Sequence, residues 1–348
     1  MKTVTVIGSG MMGSALVFPA RENNNKVRLV GTHLDEDIIT QCKKTNRHPK
    51  FKRDFPSGVE FYYISDVAAA LEGADLVICG VSSFGVEWFR DVILPILPDG
   101  LPVLAVTKGL IATDEGELIT YVHHWQSRVG ELSKHNPICA IGGPCTSYEL
   151  VAHDQTRVTF CGEDMELLRK IKGIMATDYY HISLSTDIVG TESAVALKNG
   201  YALGVALTVG LNQKQFGLDS ELHYNSQAAV FGQAVCEMQR LLEAQGAGSL
   251  DNLALGIGDL YVTVYGGRTR LVGILLGRGL SLEQALSELS GVTLESLVVS
   301  KRVARAMRIR AQKGLVDLTD YPLLMHIDAI VSSGAPADIP WDSFVKEY

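Results

Sequence analysis

Apolar residues in the first half of the chain gather into short β-branched runs separated by longer mixed stretches. The runs at 3–7, 27–30, 60–63, 76–81, 102–106 and 138–141 each suit a buried strand of about 4–8 residues. Most of the intervening stretches are long enough for a crossover helix. Strand alternating with helix predicts a mostly parallel sheet with right-handed connections and helices on both faces. Near Asp187 the texture changes. Residues 188–210 are rich in Ala, Gly, Val and Leu, and no strand-like run follows. Helical apolar spacing marks 225–245, 281–289 and 293–312, with breakers at Gly217, Gly246-Ala247-Gly248 and Gly314. The expectation is an α/β domain over residues 1–186 and an all-α domain over 187–348.

Composition narrows the classes this pattern allows. The 348 residues are 47% hydrophobic and 20% charged, too apolar for a disordered chain. Lys+Arg 31 against Asp+Glu 39 gives a net charge of −8, which argues against a nucleic-acid surface or a polybasic membrane anchor. An anionic small ligand remains compatible, since a few local cations suffice to bind one. No run approaches the roughly 18–20 consecutive apolar residues of a membrane span, and the N-terminus lacks a signal-peptide pattern. The six cysteines include no Cys-x-x-Cys pair and suit a reducing, cytoplasmic setting. His123-His124 has no partner at metal-site spacing, and Cys79 sits in an apolar run that reads as core.

The first candidate chemistry follows the first strand at once. In Gly8-Ser9-Gly10-Met11-Met12-Gly13 the glycines have G-x-G-x-x-G spacing. Gly8 would permit a tight turn, Gly10 a close backbone approach to a pyrophosphate, and Gly13 close packing of helix on strand. The pyrophosphate would then face the helix N-terminus, where free N–H groups and the helix dipole favour anions. A glycine turn can also serve packing alone. Its place at the head of a strand–helix series favours a Rossmann-type sheet that binds NAD or NADP, with Ser9 beside the cofactor and Met11 and Met12 suited either to packing on it or to filling the core. The acid expected near the ribose is less distinct. The second strand ends Val30-Gly31-Thr32-His33, and Asp35, Glu36 and Asp37 also suit the first turn of a helix.

Three further clusters carry reactive groups. Lys108 follows Val106-Thr107 at the carboxyl end of a predicted strand, the edge where doubly wound sheets bind ligands. Lys198-Asn199 lies among small apolar residues. Burial and nearby cations would make Lys198 a proton acceptor, whereas the bland reading is a lysine snorkelling to water. Asp259 either orients that lysine or caps a following helix. Arg268 sits in the glycine-flanked loop Gly266-Gly267-Arg268-Thr269-Arg270, suited to clamping a phosphate, and Arg270 reads as solvated.

Taken in order, these residues resemble the soluble NAD(P)-dependent glycerol-3-phosphate dehydrogenases over almost the whole chain. The likeness runs through the N-terminal glycines, Asn46-Arg47-His48-Pro49-Lys50-Phe51 and Thr107-Lys108-Gly109. It continues through Gly143-Pro144-Cys145-Thr146-Ser147-Tyr148, Ala196-Leu197-Lys198-Asn199 and 225–237. It ends with the segment 258–273 and Gly314-Leu315-Val316-Asp317 with Tyr321-Pro322-Leu323.

The resemblance implies hydride exchange between a nicotinamide and C2 of a triose phosphate, with dihydroxyacetone phosphate and sn-glycerol 3-phosphate as partners. Lys198 becomes the general acid/base, with Lys108, Asp259 and Thr263 around it. Substrate contacts fall to Lys108, Gly143, Cys145, Lys198, Asn199, Asp259, Arg268 and Thr269. His33, Phe84, Lys108, Ser147, Arg268 and Glu295 join the glycine turn at the cofactor. It implies no metal and a homodimer. Two positions depart from the family. Thr269 stands where an Asn is usual, and Cys145 where bacterial members carry Thr. Both point at the substrate side, so a different phosphorylated sugar or polyol is an alternative, as is a nucleotide-binding sensor without catalysis.

Overall fold

A computed structural model of the chain describes residues 1–289 and 295–345, and these form two compact units. Met1–Lys108 with Tyr121–Glu192 makes the first, and Gly109–Thr120 with the residues from Ser193 onward makes the second.

The first unit is built on an eight-stranded sheet. Its strands are β1 (Thr3–Ile7), β2 (Lys26–Val30), β3 (Val59–Tyr62), β4 (Leu76–Cys79) and β5 (Val103–Ala105). After a short hairpin of β6 (Leu110–Ala112) and β7 (Leu118–Thr120), which belongs to the second unit, come β8 (Ile138–Gly142), β9 (Thr156–Cys161) and β10 (Tyr180–Ser185). The spatial order is β10-β9-β8-β5-β4-β1-β2-β3. Strands β3, β2, β1, β4, β5 and β8 run parallel, and β9 turns antiparallel to β8. The six parallel strands are the six apolar runs of the sequence; β9 and β10 were not among them.

Central strands explain that difference. Residues Val4 to Ile7 and Leu76 to Cys79 are all buried, as a strand covered on both faces requires. In β9 and β10, by contrast, Arg157 and His181 point to water, so neither strand makes a continuous apolar run. The order in which strands are added reverses between β1 and β4, which run parallel: β2 and β3 lie on one side of β1, and β4, β5 and β8 on the other. This is the switch point at which open α/β sheets leave a crevice beyond their carboxyl ends.

From Ser193 onward every described regular element is helical. The long helix Ile188–Phe216 is followed by Tyr224–Glu243, Leu250–Tyr265, Arg268–Gly277, Leu282–Glu288, Glu295–Gln312 and Pro322–Ser333. The predicted start of one helix at Thr293 lies outside the described residues. Glycines let the central helices approach closely. A Cβ on Gly273 would fall 2.6 Å from the Leu203 carbonyl, and one on Gly210 would fall 2.1 Å from the Ile274 carbonyl. Helix Ile188–Phe216 is long and apolar enough to cross a membrane by length and composition. Its most apolar window is 94% buried, the signature of a core helix.

Candidate active site

Within the first unit, the glycine turn stands at the switch point. Gly8 has φ +108°, and a Cβ there would lie 2.8 Å from the Gly80 backbone. The turn therefore demands glycine at this position on two counts. A Cβ on Gly13 would meet the Gly8 carbonyl at 2.1 Å, so Gly13 is what lets helix Met11–Glu22 seat on β1. Gly10 is different. Its φ of −64° suits any residue, and the nearest atom to a Cβ would be 4.0 Å away. The fold has no need of glycine at 10, and the room beside it is what a pyrophosphate approaching the backbone requires.

The helix that follows has Gly10 as N-cap, no side-chain cap and no acidic residue in its first turn. Its N–H groups and dipole face outward uncompensated, as an anion-binding helix start should. The buried Ser9 hydroxyl has no protein partner beside it. These observations fit a dinucleotide cradle.

Of the acids after the second strand, Glu36 and Asp37 sit in the first turn of helix Glu36–Thr45, just after Asp35. Asp35 holds the N-cap position of that helix without capping it. Its Oδ2 instead accepts from the Thr32 N–H (3.0 Å), the Thr32 hydroxyl (2.9 Å) and the Ser9 N–H (3.3 Å). His48 Nε2 donates to the Ser9 carbonyl at 3.2 Å, because Nδ1 is taken by the Lys50 N–H at 3.1 Å. Sequence reasoning assigned His48 no role; it lies within the Asn46 to Phe51 stretch, but 39 residues separate it from Ser9 and no local pattern reports the contact.

Beyond the ends of β5 and β8, Lys108 Nζ donates to the carbonyl of Gly143 at 3.0 Å, joining two of the expected substrate residues. Thr107 is buried and donates to the Val81 carbonyl at 2.7 Å, which fixes the segment that carries Lys108. Cys145 and Ser147 are half-buried beside Gly143, and Ser147 opens the helix Ser147–Val151. Phe84 is well exposed, and the His33 ring lies 5.7 Å from that of Trp88.

In the second unit, Lys198 lies on helix Ile188–Phe216 and is 8% exposed, which sets aside the snorkelling reading. Its Nζ donates to Asp259 Oδ1 at 2.8 Å and to Thr263 Oγ1 at 2.7 Å. Asp259 and Thr263 are one turn apart on helix Leu250–Tyr265, and the Thr263 hydroxyl donates in turn to the Asp259 carbonyl at 2.7 Å. Asp259 is therefore an orienting group inside a helix and not a cap. Where the sequence suggested neighbouring cations, the ammonium of Lys198 meets a carboxylate. The network exists because the two helices touch one turn earlier. A Cβ on Gly256 would lie 3.1 Å from the Ala194 carbonyl, bringing the backbones together.

Asn199 is buried next to Lys198. Arg268 is exposed and starts helix Arg268–Gly277, directly after Gly267 at φ +90°, and Thr269 follows it in that first turn. Glu295 opens helix Glu295–Gln312. Among the described residues, no group of three or more His, Cys, Asp or Glu side chains is placed to hold a metal ion.

Comparison with known proteins agrees with this geometry. Residues 3–168 match the family profile for the NAD-dependent glycerol-3-phosphate dehydrogenase N-terminus, and residues 187–340 the profile for its C-terminus. The chain is 33% identical over 319 residues to the NADP(+)-dependent glycerol-3-phosphate dehydrogenase of Archaeoglobus fulgidus, covering 90% of this chain and 92% of that one. It is 27% identical to the glycerol-3-phosphate dehydrogenase [NAD(P)+] of Limosilactobacillus reuteri, covering 88% of each. Two solved structures share the fold: glycerol-3-phosphate dehydrogenase from Coxiella burnetii (TM-score 0.80, 22% identity, 99% of this chain and 97% of that one) and from Plasmodium falciparum (0.83, 19%, 100% and 96%). The chain belongs to the NAD-dependent glycerol-3-phosphate dehydrogenase family.

Proposed function

We propose that this chain interconverts dihydroxyacetone phosphate and sn-glycerol 3-phosphate with NAD(H) or NADP(H), and that Lys198 moves the proton. The buried Lys198–Asp259–Thr263 network carries the reading. When bound, the reduced nicotinamide supplies the hydride to C2 of the ketone. As charge grows on the C2 oxygen, the Lys198 ammonium stabilises it and donates its proton there. In the reverse direction the neutral amine takes that proton back. Asp259 holds Nζ in place through the 2.8 Å contact. Thr263 fixes a second direction of Nζ.

Residues 1–186 would carry the cofactor, with Gly8, Ser9, Gly10, Met11, Met12 and Gly13 at the pyrophosphate and His33, Phe84, Lys108 and Ser147 along the rest of the nucleotide; the family resemblance adds Arg268 and Glu295 as cofactor contacts from residues 187–348. Residues 187–348 would carry the proton chemistry, with Asn199, Arg268 and Thr269 at the phosphate ester. Lys108, Gly143 and Cys145 complete the substrate contacts. Six free cysteines, four of them buried, suit a reducing compartment, and we place the protein in the cytoplasm as a homodimer. Thr269 and Cys145 favour one second reading, the same chemistry on another phosphorylated polyol.

The test is direct. Purified protein is mixed with NADH or NADPH, and reduced-nicotinamide absorbance is followed after adding dihydroxyacetone phosphate. Oxidation that falls roughly 10²–10⁴-fold in Lys198→Ala is the expected result. Nucleotide binding with turnover only on other phosphorylated ketones supports the second reading. Binding with no turnover on any ketone leaves a sensor.

A further inference from the structure

Two consecutive peptides of the glycine turn are gripped by side chains from outside it. The Gly8–Ser9 peptide is held through its N–H, which donates to Asp35 Oδ2 at 3.3 Å. The Ser9–Gly10 peptide is held through its carbonyl, which accepts from His48 Nε2 at 3.2 Å and from the Ser14 hydroxyl at 3.0 Å. Asp35 and His48 reach the turn from opposite flanks of helix Glu36–Thr45 in sequence, and each is itself fixed. Thr32 donates twice to the same Asp35 oxygen, and the buried His48 ring accepts from the Lys50 N–H and lies 4.6 Å from the Phe51 ring.

The Ser9–Gly10 peptide can turn over at little cost, because the flip changes ψ of Ser9 and φ of Gly10, and glycine tolerates both signs of φ. A flipped Ser9–Gly10 peptide would present a carbonyl where the N–H groups at the start of helix Met11–Glu22 gather, and a carbonyl repels a phosphate. Three donors converging on one Asp35 oxygen aim that carboxylate at the backbone of the turn.

We propose that Asp35 and His48 are positioning residues: they lock the glycine turn in the orientation that receives the pyrophosphate, and Asp35 acts through the turn instead of reading the ribose 2′-hydroxyl. This rests on the dinucleotide reading of the first unit. A ribose reader discriminates between the two nucleotides, since its charge repels a 2′-phosphate. A clamp on the turn serves both alike, because both carry the same pyrophosphate.

The experiment is a fluorescence titration of NADH and of NADPH into the full chain, with melting temperature and kcat measured alongside. Asp35→Ala and His48→Ala should each weaken both nucleotides by roughly tenfold while the NADH/NADPH ratio stays within about threefold. The kcat at saturating nucleotide should stay near its starting value. Asp35→Asn keeps an acceptor and His48→Gln keeps an N–H donor, so each should recover most of the affinity for both. A ratio that moves more than about tenfold in Asp35→Asn overturns the proposal in favour of a ribose reader. Affinity that recovers in neither conservative variant, although both melt normally, overturns the clamp. If the unmodified chain binds neither nucleotide, the dinucleotide reading itself is lost and this proposal goes with it.

Discussion

The glycine turn of the first unit and the lysine network of the second solve different problems by different means. The turn is made of backbone: its three glycines lie between residues 8 and 13, and its chemistry is a set of peptide N–H groups. The network is made of side chains 61 and 65 positions apart, brought together by two packed helices. Damage to the first should therefore act through shape and spare the protein's charge balance. Damage to the second should strand a charge out of water. Function and stability are separable in each region, and by different substitutions.

The largest effect tests the charged pair. Asp259→Ala leaves the Lys198 ammonium buried without its anion, and breaking a buried pair in this way costs about 3–5 kcal/mol of stability. The double variant Lys198→Met/Asp259→Leu removes both charges and should melt close to the unmodified protein, since an apolar pair of similar volume is often neutral or better. It should nevertheless stay inactive by roughly 10²–10⁴-fold. Denaturation midpoints and ketone reduction measured on the same samples decide the matter. Activity surviving in the double variant would remove Lys198 from the chemistry altogether.

A smaller effect separates two glycines that sequence spacing treats as equals. Gly13→Ala forces a Cβ to 2.1 Å from the Gly8 carbonyl, so the helix must shift at a cost of about 1–3 kcal/mol. Gly10→Ala meets nothing closer than 4.0 Å and should melt within about 1 kcal/mol of the starting protein. Its penalty should appear only when nucleotide is added, as a raised Kd for NADH and NADPH alike. Equal melting losses in the two variants would mean that position 10 is structural as well.

The same contrast explains what was legible beforehand. The turn could be read because consecutive residues encode it, and the six parallel strands because burial on both faces leaves continuous apolar runs. Strands β9 and β10 escaped because Arg157 and His181 interrupt their patterns on the solvent face. The hairpin β6–β7 escaped because three-residue strands around Gly116, at φ +87°, leave almost no periodicity. Lys198 was visible as a lysine in an apolar stretch, and Asp259 as either its orienting group or a helix cap, whereas Thr263 came only from resemblance to a family. Helix packing selects Asp259 and Thr263 through Gly256 and Ala194, a contact that no local pattern expresses. His48 escaped for the same reason.

Smaller again is the expected effect at the two positions where the chain departs from its family. Thr269→Asn restores an amide donor in the turn that carries Arg268, and Cys145→Thr restores a hydroxyl beside Gly143. Each exchange should change kcat/KM for dihydroxyacetone phosphate by about 1–2 kcal/mol, roughly 5–30-fold. A rise with this ketone and a fall with other phosphorylated ketones would show that the native pair sets a different preference. Unchanged ratios across a ketone panel would show that Thr269 and Cys145 merely substitute for the usual residues.

Mild acid gives the smallest effect and bears on the backbone-built site. His48 is almost wholly buried, and that burial holds its pKa below the ordinary 6.5, with Lys50 adding to the depression and the Ser9 carbonyl and Asp35 opposing it. Protonation would also place a second N–H against the Lys50 N–H that Nδ1 now accepts. In the unfolded chain the imidazole takes its proton near pH 6.5, whereas the folded protein resists until lower pH. Between those points the unfolded state binds more protons, so stability falls as pH drops below about 6.5, by at most about 1.4 kcal/mol per pH unit for this one group. His326, which burial also holds below 6.5, adds a slope of its own, so the useful quantity is a difference. Urea midpoints from pH 7.5 to 5.0, compared between the unmodified chain and His48→Gln, should show the unmodified chain losing more. Parallel curves would mean that the ring is charged, or free to become so, in the folded protein, and the neutral tautomer assigned to the Ser9 contact would have to be abandoned.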